Sequence, residues 1–381
     1  MKINKALIKE GKRILKRRLQ TKTHHRFEGG PREICKKIAD KNWNGKYFQA
    51  SLGHFKSFYM RDFGMSTEAL IYMGYKHEVE KTLEYALDIY EKNNKVTTTI
   101  TPDEVPIDIF DYGSDSVPYL IRSLRIAKAH NLIKRHHDFL EYAVNDYYNR
   151  LFDEKKMIVY ENKTFSSMKD NSKRRSSMYD NCCMAMLSME LNKLKEKNIL
   201  IKNPFFKWNY KKVIRDRFWV GTHFLDDISN HHYISGDANT VPYFFEIFTD
   251  KDMMTSSINT IIGEKLDLPI PAKYTAKPIK EKENQVLGLL APNYQGDTCW
   301  TNLGMIFLEV AGKVNKLMLK KYIDVFLEQV EDERNFLEVF DKYSKPYKTK
   351  LYMYDEGMLW SSIFYQLLDE FYKPGRIKYL I

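Results

Sequence analysis

The chain is poor in the residues that build metal, redox and phosphate-binding motifs. It has four cysteines in 381 residues and no C-x-x-C spacing, which argues against a zinc ribbon and a thioredoxin-like redox motif. It also has no H-E-x-x-H sequence and no glycine-rich phosphate loop. We therefore expect neither a metal nor a cofactor. Such cysteine usage is typical of a reducing compartment.

Long apolar runs are absent as well. No stretch of about 18 apolar residues occurs, so we expect no membrane-spanning helix and no membrane partner. Residues 1–18 are rich in lysine and arginine and lack the apolar core of a signal peptide. Together with the cysteine usage, these features predict a cytoplasmic protein.

The charge balance is basic, with a formal net charge of +11 and an isoelectric point of about 9.1. A basic chain can bind nucleic acid, but the lysines here are spread along the whole sequence, and no zinc finger or RNA-binding aromatic motif accompanies them. The one dense basic stretch, residues 9–18, is interpreted as the exposed face of an amphipathic helix. We therefore expect no nucleic-acid partner, and the oligomeric state is left open.

What is abundant is apolar and aromatic side chains. Hydrophobic residues make up 43% of the chain and charged residues 29%, which is the balance of a globular protein. Aromatic residues reach 14%. Two interpretations stay open for them: a bulky helical core, or a cleft lined with rings of the kind that binds carbohydrate.

Apolar residues recur mainly at helical spacing. In residues 66–93, Leu70, Val79 and Leu83 follow such a stripe, and Gly74 divides it into two helices. Similar pairs continue along the chain and give about a dozen helices, while the strongest strand candidate is short, residues 156–161. The pattern predicts an all-α fold, the (α/α)6 toroid, in which helix pairs close into a double ring. We expect residues 1–40 to form a basic helical segment packed on a single barrel domain, residues 41–381.

Polar segments recur at or just before the predicted helix starts. Ser, Asp and Asn are common helix N-caps, so capping explains any one of them. In a closed barrel, however, the successive segments would converge on one mouth. They are residues 61–64, 111–116, 166–176, 235–242, 293–298 and 338–347.

Four of the longer segments carry a pattern in chain order. The first has an aromatic residue, Arg and Asp before a helix, and the second has Met-x-Asp before a helix. The third runs from a tyrosine to a tryptophan on a late helix, and the fourth has Glu-x-x-Asp before an aromatic-rich helix. They are residues 54–74, 166–194, 293–311 and 335–368. In order and spacing the chain resembles the six-hairpin glycosidases, a group that includes glucoamylases, glycogen-debranching glucosidases and alkaline/neutral invertases.

The chain also departs from that group in places. Asp297 and Thr298 stand where the invertases carry glycine-rich sequence, and no His-Pro pair follows Met178. Sucrose specificity is therefore not expected. The resemblance implies instead an inverting glycoside hydrolase that acts on a short, α-linked oligosaccharide.

Inversion needs a protonated acid and a carboxylate base roughly 6.5–9.5 Å apart, with a water between them. The resemblance implies that Asp170 is the general acid and Glu338 the general base. Asp180 is the alternative acid and Glu356 the alternative base. The cations that surround Asp170 in sequence, residues 169 and 173–175, would lower its pKa, whereas a general acid needs a raised pKa.

The remaining candidates are expected to hold the sugar. Arg61 and Asp62 would fix the terminal ring through charged hydrogen bonds. Aromatic rings would stack on sugar faces, and other polar side chains would contact hydroxyl groups. The aromatic candidates are Trp219, Tyr294 and Trp300, and the polar ones are His54, Asp115, Asp237, Gln295 and Glu356.

Two other functions stay open. In a phosphorylase, phosphate would replace water, and residues 173–175 could attract it. A non-catalytic sugar-binding barrel would keep the fold without the opposed carboxyl groups.

Overall fold

The computed structural model describes residues 5–109, 111–170, 172–229, 233–283, 288 and 291–372. Within these residues the chain forms 14 α-helices, one short 3-10 helix (Lys280–Lys282) and seven strands of two residues each. No helix in these ranges is both long and apolar enough to cross a membrane.

Six of the described helices form an inner ring. Each contacts the next one along the chain, and the last contacts the first, so the ring is closed. In order they are α3 (Met60–Tyr72), α5 (Ser116–Ile126), α8 (Met178–Lys195), α10 (Val241–Phe244), α12 (Thr301–Val314) and α14 (Ser361–Tyr372).

Six further helices pack outside this ring. The packing of α9 on α8 and of α13 on α12 matches the pairs expected from the sequence. The outer helices are α2 (Pro31–Asn42), α4 (Lys76–Lys92), α7 (His137–Leu151), α9 (Tyr210–Phe218), α11 (Lys251–Gly263) and α13 (Lys316–Glu333); α6 (His130–Arg135) precedes α7. The prediction of an all-α (α/α)6 toroid is confirmed.

The N-terminal residues form α1 (Lys5–Gln20), which is outside both rings. The expected helix is present, but its basic stretch is not wholly solvated: the side chain of Arg17 is only 11% exposed, because it pairs with Glu356. The next helix, α2, contacts α14 and α13. Residue 40, the expected boundary, lies inside α2, and the division of the chain there stays a prediction.

Short antiparallel strands hold the loops at one end of the ring. β1 (Phe58–Tyr59), β2 (Thr99–Ile100) and β3 (Pro106–Ile107) form one sheet. β4 (Phe152–Asp153) pairs with β5 (Ile158–Val159), and β5 lies within the strand predicted at residues 156–161. β6 (Cys299–Trp300) pairs with β7 (Val339–Phe340). β7 is a difference from the sequence-based expectation, since residues 338–347 do not directly precede a helix and α14 begins only at Ser361.

A close approach between α3 and α5 depends on Gly64. A Cβ atom at this position would lie 2.6 Å from the Cβ of Tyr119, a distance that real contacts do not show. Glycine therefore lets the two inner helices pack closely, which brings the start of α3 beside the start of α5. The residues at these two helix starts are Arg61 and Asp115.

Candidate active site

Glu338 lies just before β7 and is 1% exposed. Its Oε1 accepts a 2.5 Å hydrogen bond from the hydroxyl of Tyr294, and its Oε2 accepts one of 2.6 Å from Tyr352 and one of 2.8 Å from the backbone N–H of Asp355. Burial, followed by the negative charge of Asp355, raises the pKa of Glu338 to about 7, although the three hydrogen bonds oppose the rise. The carboxyl can therefore exchange a proton near neutral pH.

Asp355 is fully buried beside Glu338. Its carboxylate accepts hydrogen bonds from the hydroxyl of Ser51 and from the backbone N–H groups of His54 and Phe55. Burial alone would raise the pKa of Asp355, but His54, Arg17 and these hydrogen bonds bring it below its ordinary value. Asp355 therefore stays charged.

His54 is 1% exposed, and its Nε2 lies 3.5 Å from the hydroxyl of Tyr352. Burial lowers the pKa of His54 to about 4, with Arg17 and Arg13 adding to the effect and Asp355 opposing it. The imidazole is therefore neutral at pH 7. Its Nδ1 is buried without a hydrogen-bond partner, 3.7 Å from Oδ1 of Asp355.

Glu356, the alternative base, is engaged by the N-terminal segment. Its Oε1 accepts a 2.7 Å hydrogen bond from Arg17, and its Oε2 accepts one from the backbone N–H of His25 and one from Asn335. Arg17, His25 and Asn335 thus occupy both carboxylate oxygens of Glu356. The contacts of Glu356 are those of a tether between distant segments.

Arg61 joins the starts of the first three inner helices. Its Nε donates to Oδ2 of Asp115 at 2.5 Å, and its NH1 lies 3.5 Å from Oδ2 of Asp170. Tyr179, in the first turn of α8, donates to the same oxygen of Asp115 at 2.9 Å. Arg61 therefore brings Asp115 and Asp170 to one side of the mouth.

Asp170 is partly exposed, with 22% of its side chain accessible to solvent. Its Oδ1 accepts hydrogen bonds from the hydroxyl of Ser166 and the backbone N–H of Ser167. It is not a helix cap, because Ser177 caps α8. Burial raises the pKa of Asp170, while Arg61 and the two hydrogen bonds oppose the rise.

Two of the four cations beside Asp170 in sequence, Lys169 and Arg174, are bound to other acids. Lys169 lies 3.5 Å from Asp226, and Arg174 contacts Asp226 at 3.2 Å and Asp237 at 2.7 Å. Asp227 binds the ammonium group of Lys282 in the same buried cluster. These pairs answer the objection for residues 169 and 174, because Asp226 and Asp237 neutralise the charges of those two side chains.

Asp62 lies in the first turn of α3 and is partly buried. Burial raises its pKa to about 6, with Arg61 opposing and the negative charges of Asp115 and Asp170 adding to the rise. The structure therefore groups four charged residues of the expected site: Arg61, Asp62, Asp115 and Asp170.

The loop before α12 connects the two sides of the mouth. Tyr294 bonds Glu338, while the amide of Gln295 donates to the backbone carbonyl of Met168, two residues before Asp170. The indole N–H of Trp300 donates to the carbonyl of Tyr294, and the two rings meet edge to face with centroids 4.6 Å apart. These contacts fasten the loop to both sides of the mouth.

Three other candidates have separate contacts. Asp237 is fully buried and binds Arg174. Asp180, the alternative acid, lies in the first turn of α8 and accepts hydrogen bonds from the hydroxyls of Ser114 and Ser177. Trp219 directly follows the outer helix α9, and its ring packs against that of Phe224 with centroids 4.9 Å apart.

Several residues of the site were missed in the sequence: Tyr352, Asp355, Tyr179 and Arg17. Tyr352 and Asp355 lie inside the closing segment that carries the resemblance, so proximity to Glu338 was a usable signal. Arg17 gave no such signal, because a basic residue on an amphipathic helix is usually solvated. Within the described ranges, no group of three or more His, Cys, Asp or Glu side chains could hold a metal ion.

Solved structures resemble this architecture over most of its length. A wild-type glycosidase aligns with a TM-score of 0.64 at 12% identity, covering 90% of this chain and 96% of that one. A GH63 mannosylglycerate hydrolase from Thermus thermophilus, in complex with Tris and D-glycerate, aligns at 0.62 and 10% identity over 89% and 99% of the two chains. The chain has the six-hairpin fold of these glycosidases. The resemblance drawn from the sequence is confirmed at the level of the fold.

The six-hairpin fold also appears in a rhamnosidase from Klebsiella oxytoca with rhamnose bound. It aligns with a TM-score of 0.60 at 10% identity, over 91% of this chain and 65% of that one. No protein-family model matches the sequence, and no curated protein matches it.

Proposed function

We propose that this protein is an inverting glycoside hydrolase in which Asp170 protonates the leaving oxygen and Glu338 activates water. The observation that carries the proposal is the placement of these two residues on the ring. Asp170 precedes α8, the third inner helix, and Glu338 lies in the segment before α14, the sixth. In a closed ring of six, the third and sixth positions face each other across the axis. Such opposition favours a separation that admits a water molecule.

The environment of Glu338 suits a general base. Its donors are two tyrosine hydroxyls and one backbone N–H, all of them neutral. Neutral donors orient the carboxylate without cancelling its charge, and a pKa near 7 gives a stronger base than an exposed glutamate would. The two tyrosines would aim the carboxylate at the water that attacks the anomeric carbon.

The environment of Asp170 suits a general acid at the edge of the cleft. The carboxyl group is partly exposed, so a leaving oxygen can reach it, and burial favours its protonated form. Arg61 lies 3.5 Å from Oδ2 and would stabilise the carboxylate that remains after proton transfer. We expect Oδ2 of Asp170 to carry the proton before it is transferred.

A short substrate with one terminal sugar fits the group around Arg61. Asp62 would accept hydrogen bonds from the hydroxyls of that ring, and Arg61 and Asp115 would hold its position. Two of the solved structures with this fold are named for a mannosylglycerate and a rhamnose activity. An α-linked oligosaccharide of few residues is the class we propose for this chain.

Hydrolysis is favoured over phosphorolysis by the contacts of Arg174. This side chain is 3% exposed and binds Asp226, Asp237 and the hydroxyl of Ser167. Arg175 contacts Glu161 at 3.3 Å. Residues 174 and 175 are therefore engaged by acids, whereas a phosphate subsite needs cations that are free to pair with the anion.

The test is a panel of α-linked oligosaccharides incubated with and without phosphate, with proton NMR of the first-formed sugar before mutarotation. We expect a free sugar of inverted configuration at a rate independent of phosphate. Retained configuration would contradict the inverting mechanism, and a sugar phosphate would identify a phosphorylase. Binding without any cleavage would favour the non-catalytic barrel.

A further inference from the structure

The N-terminal helix α1 lies against the loop that leads into the first inner helix. Glu10, Arg13 and Arg17 are spaced three and four residues apart and therefore share one face of α1. Glu10 accepts a hydrogen bond from the hydroxyl of Ser57, and Arg13 donates to the backbone carbonyl of His54 at 3.3 Å. This face of the helix is fastened to residues 54–57 at two points.

Arg17 reaches further, to the segment that follows Glu338 in the site. Its NH2 donates to Glu356 at 2.7 Å, and its Nε lies 3.8 Å from Oδ1 of Asp355. Gly53 makes room for it, since a Cβ atom at this position would lie 2.8 Å from Cζ of Arg17. The guanidinium group therefore lies between the loop at Gly53 and the carboxyl groups of Asp355 and Glu356, and 11% of the Arg17 side chain is exposed.

Asp355 connects this guanidinium to Glu338. Its carboxylate faces Arg17 and the N–H groups of residues 54 and 55, while its own backbone N–H donates to Oε2 of Glu338 at 2.8 Å. One buried residue therefore contacts the N-terminal helix through its side chain and the expected base through its backbone. A shift of Asp355 would move a donor of Glu338.

We propose that Arg17 is a positioning residue for the general base, acting through Asp355. The inference rests on the proposed role of Glu338. Arg17 attracts the carboxylate of Asp355 across 3.8 Å and adds to the hydrogen bonds from Ser51 and from residues 54 and 55, and the backbone N–H of Asp355 then holds the carboxylate of Glu338. The N-terminal helix α1 thus contributes a positioning residue to the proposed active site.

The charges around the pair decide the expected effect. The groups that face Glu338 are Tyr294, Tyr352 and Asp355, and those that face Asp355 are His54 and Arg17. Arg17 lies within ion-pair distance of Asp355, so its loss should raise the pKa of Asp355 and, at longer range, that of Glu338. A base with a higher pKa is protonated up to a higher pH.

The experiment compares pH profiles of kcat/KM for Arg17→Met, Arg17→Lys and the control Lys16→Met, a neighbouring exposed residue on α1. The acid limb should move up by about half a pH unit in Arg17→Met. It should stay in place in Lys16→Met and return toward the wild-type position in Arg17→Lys. Asp355→Asn removes the negative charge, so its acid limb should move in the opposite direction. An unchanged acid limb in Arg17→Met and Asp355→Asn would overturn the proposal.

A second measurement needs no activity and separates this proposal from the hydrolase assignment. The raised pKa of Glu338 means that its contribution to stability is present below pH 4.5 and is lost as pH rises to about 7. The melting-temperature difference between Glu338→Gln and wild type should therefore change between pH 4.5 and about 7. In the Arg17→Met background, the same change should continue to a higher pH. If this pH range is the same with and without Arg17, the proposed coupling of Arg17 to Glu338 is wrong, even if hydrolysis is found. If the wild-type protein hydrolyses no substrate but this pH range shifts in the Arg17→Met background, the hydrolase assignment is wrong. The coupling of Arg17 to Glu338 is then still supported.

Discussion

The hydroxyl of Tyr352 donates a 2.6 Å hydrogen bond to Oε2 of Glu338, and both side chains are buried at the mouth of the ring. This bond favours the ionised form of Glu338 and so opposes the rise in its pKa that burial causes. With Glu338 in the proposed role of general base, we expect the acid limb of the activity profile to depend on this one hydroxyl group.

Removal of that hydroxyl in Tyr352→Phe should move the acid limb of kcat/KM to higher pH by about half to one unit, which corresponds to one hydrogen bond. The sign follows because the base works when deprotonated, and the lost donor raises its pKa above about 7. The matched control is Tyr347→Phe, which loses a hydrogen bond to the carbonyl of Pro292 and none to Glu338. Coincident profiles for Tyr352→Phe and wild type would contradict the prediction.

Glu338→Gln should lower turnover by about 10²- to 10⁴-fold on every substrate, because water activation is common to all of them. Glu356→Gln should keep most of the turnover and lose stability, since it weakens the tether to Arg17, His25 and Asn335. Initial rates and urea unfolding of the two variants are the measurements. Wild-type turnover in Glu338→Gln together with an inactive, folded Glu356→Gln would move the base to Glu356.

Asp170→Asn should lose about 10²- to 10⁴-fold on substrates with poor leaving groups and much less on activated aryl glycosides, which need no proton. Asp180→Asn is the comparison variant for the alternative acid. Because Asp180 bonds Ser114 and Ser177 at the start of α8, its substitution should lower the melting temperature without dependence on the leaving group. The opposite result, with the leaving-group dependence in Asp180→Asn, would exchange the two roles.

Asp62→Asn should reduce kcat/KM by about 10²-fold or more, the loss of a well-placed charged hydrogen bond to the substrate. Because the pKa of Asp62 is raised to about 6, substrate binding by the wild type should also weaken as pH falls through 6 and the carboxylate is protonated. The surface variant Asp216→Asn, on the outer helix α9, is the control. Full activity of Asp62→Asn at an unchanged melting temperature would exclude a role in sugar binding.

The fold could be predicted because its signals are local. Apolar residues at helical spacing mark each helix, and Gly74 marks the end of one, so helix pairs can be read from neighbouring residues. The grouping of Arg61, Asp115 and Asp170 followed from the same logic, since successive inner helices start at one end of the ring. The exception was residues 338–347, where a two-residue strand depends on pairing with Cys299 and Trp300 and carries almost no local signal.

The helical ring, the polar segments at its mouth and the short list of carboxyl groups can be derived from the amino-acid sequence. The pairing of each cation with a particular carboxyl group depends on the three-dimensional packing. Lys169 and Arg174 lie one and four residues from Asp170 in sequence yet pair with Asp226 and Asp237, while Arg17 pairs with Glu356 across 339 positions. The physical reason is that burial and charge pairing set the protonation of an acid, and both depend on contacts between distant segments.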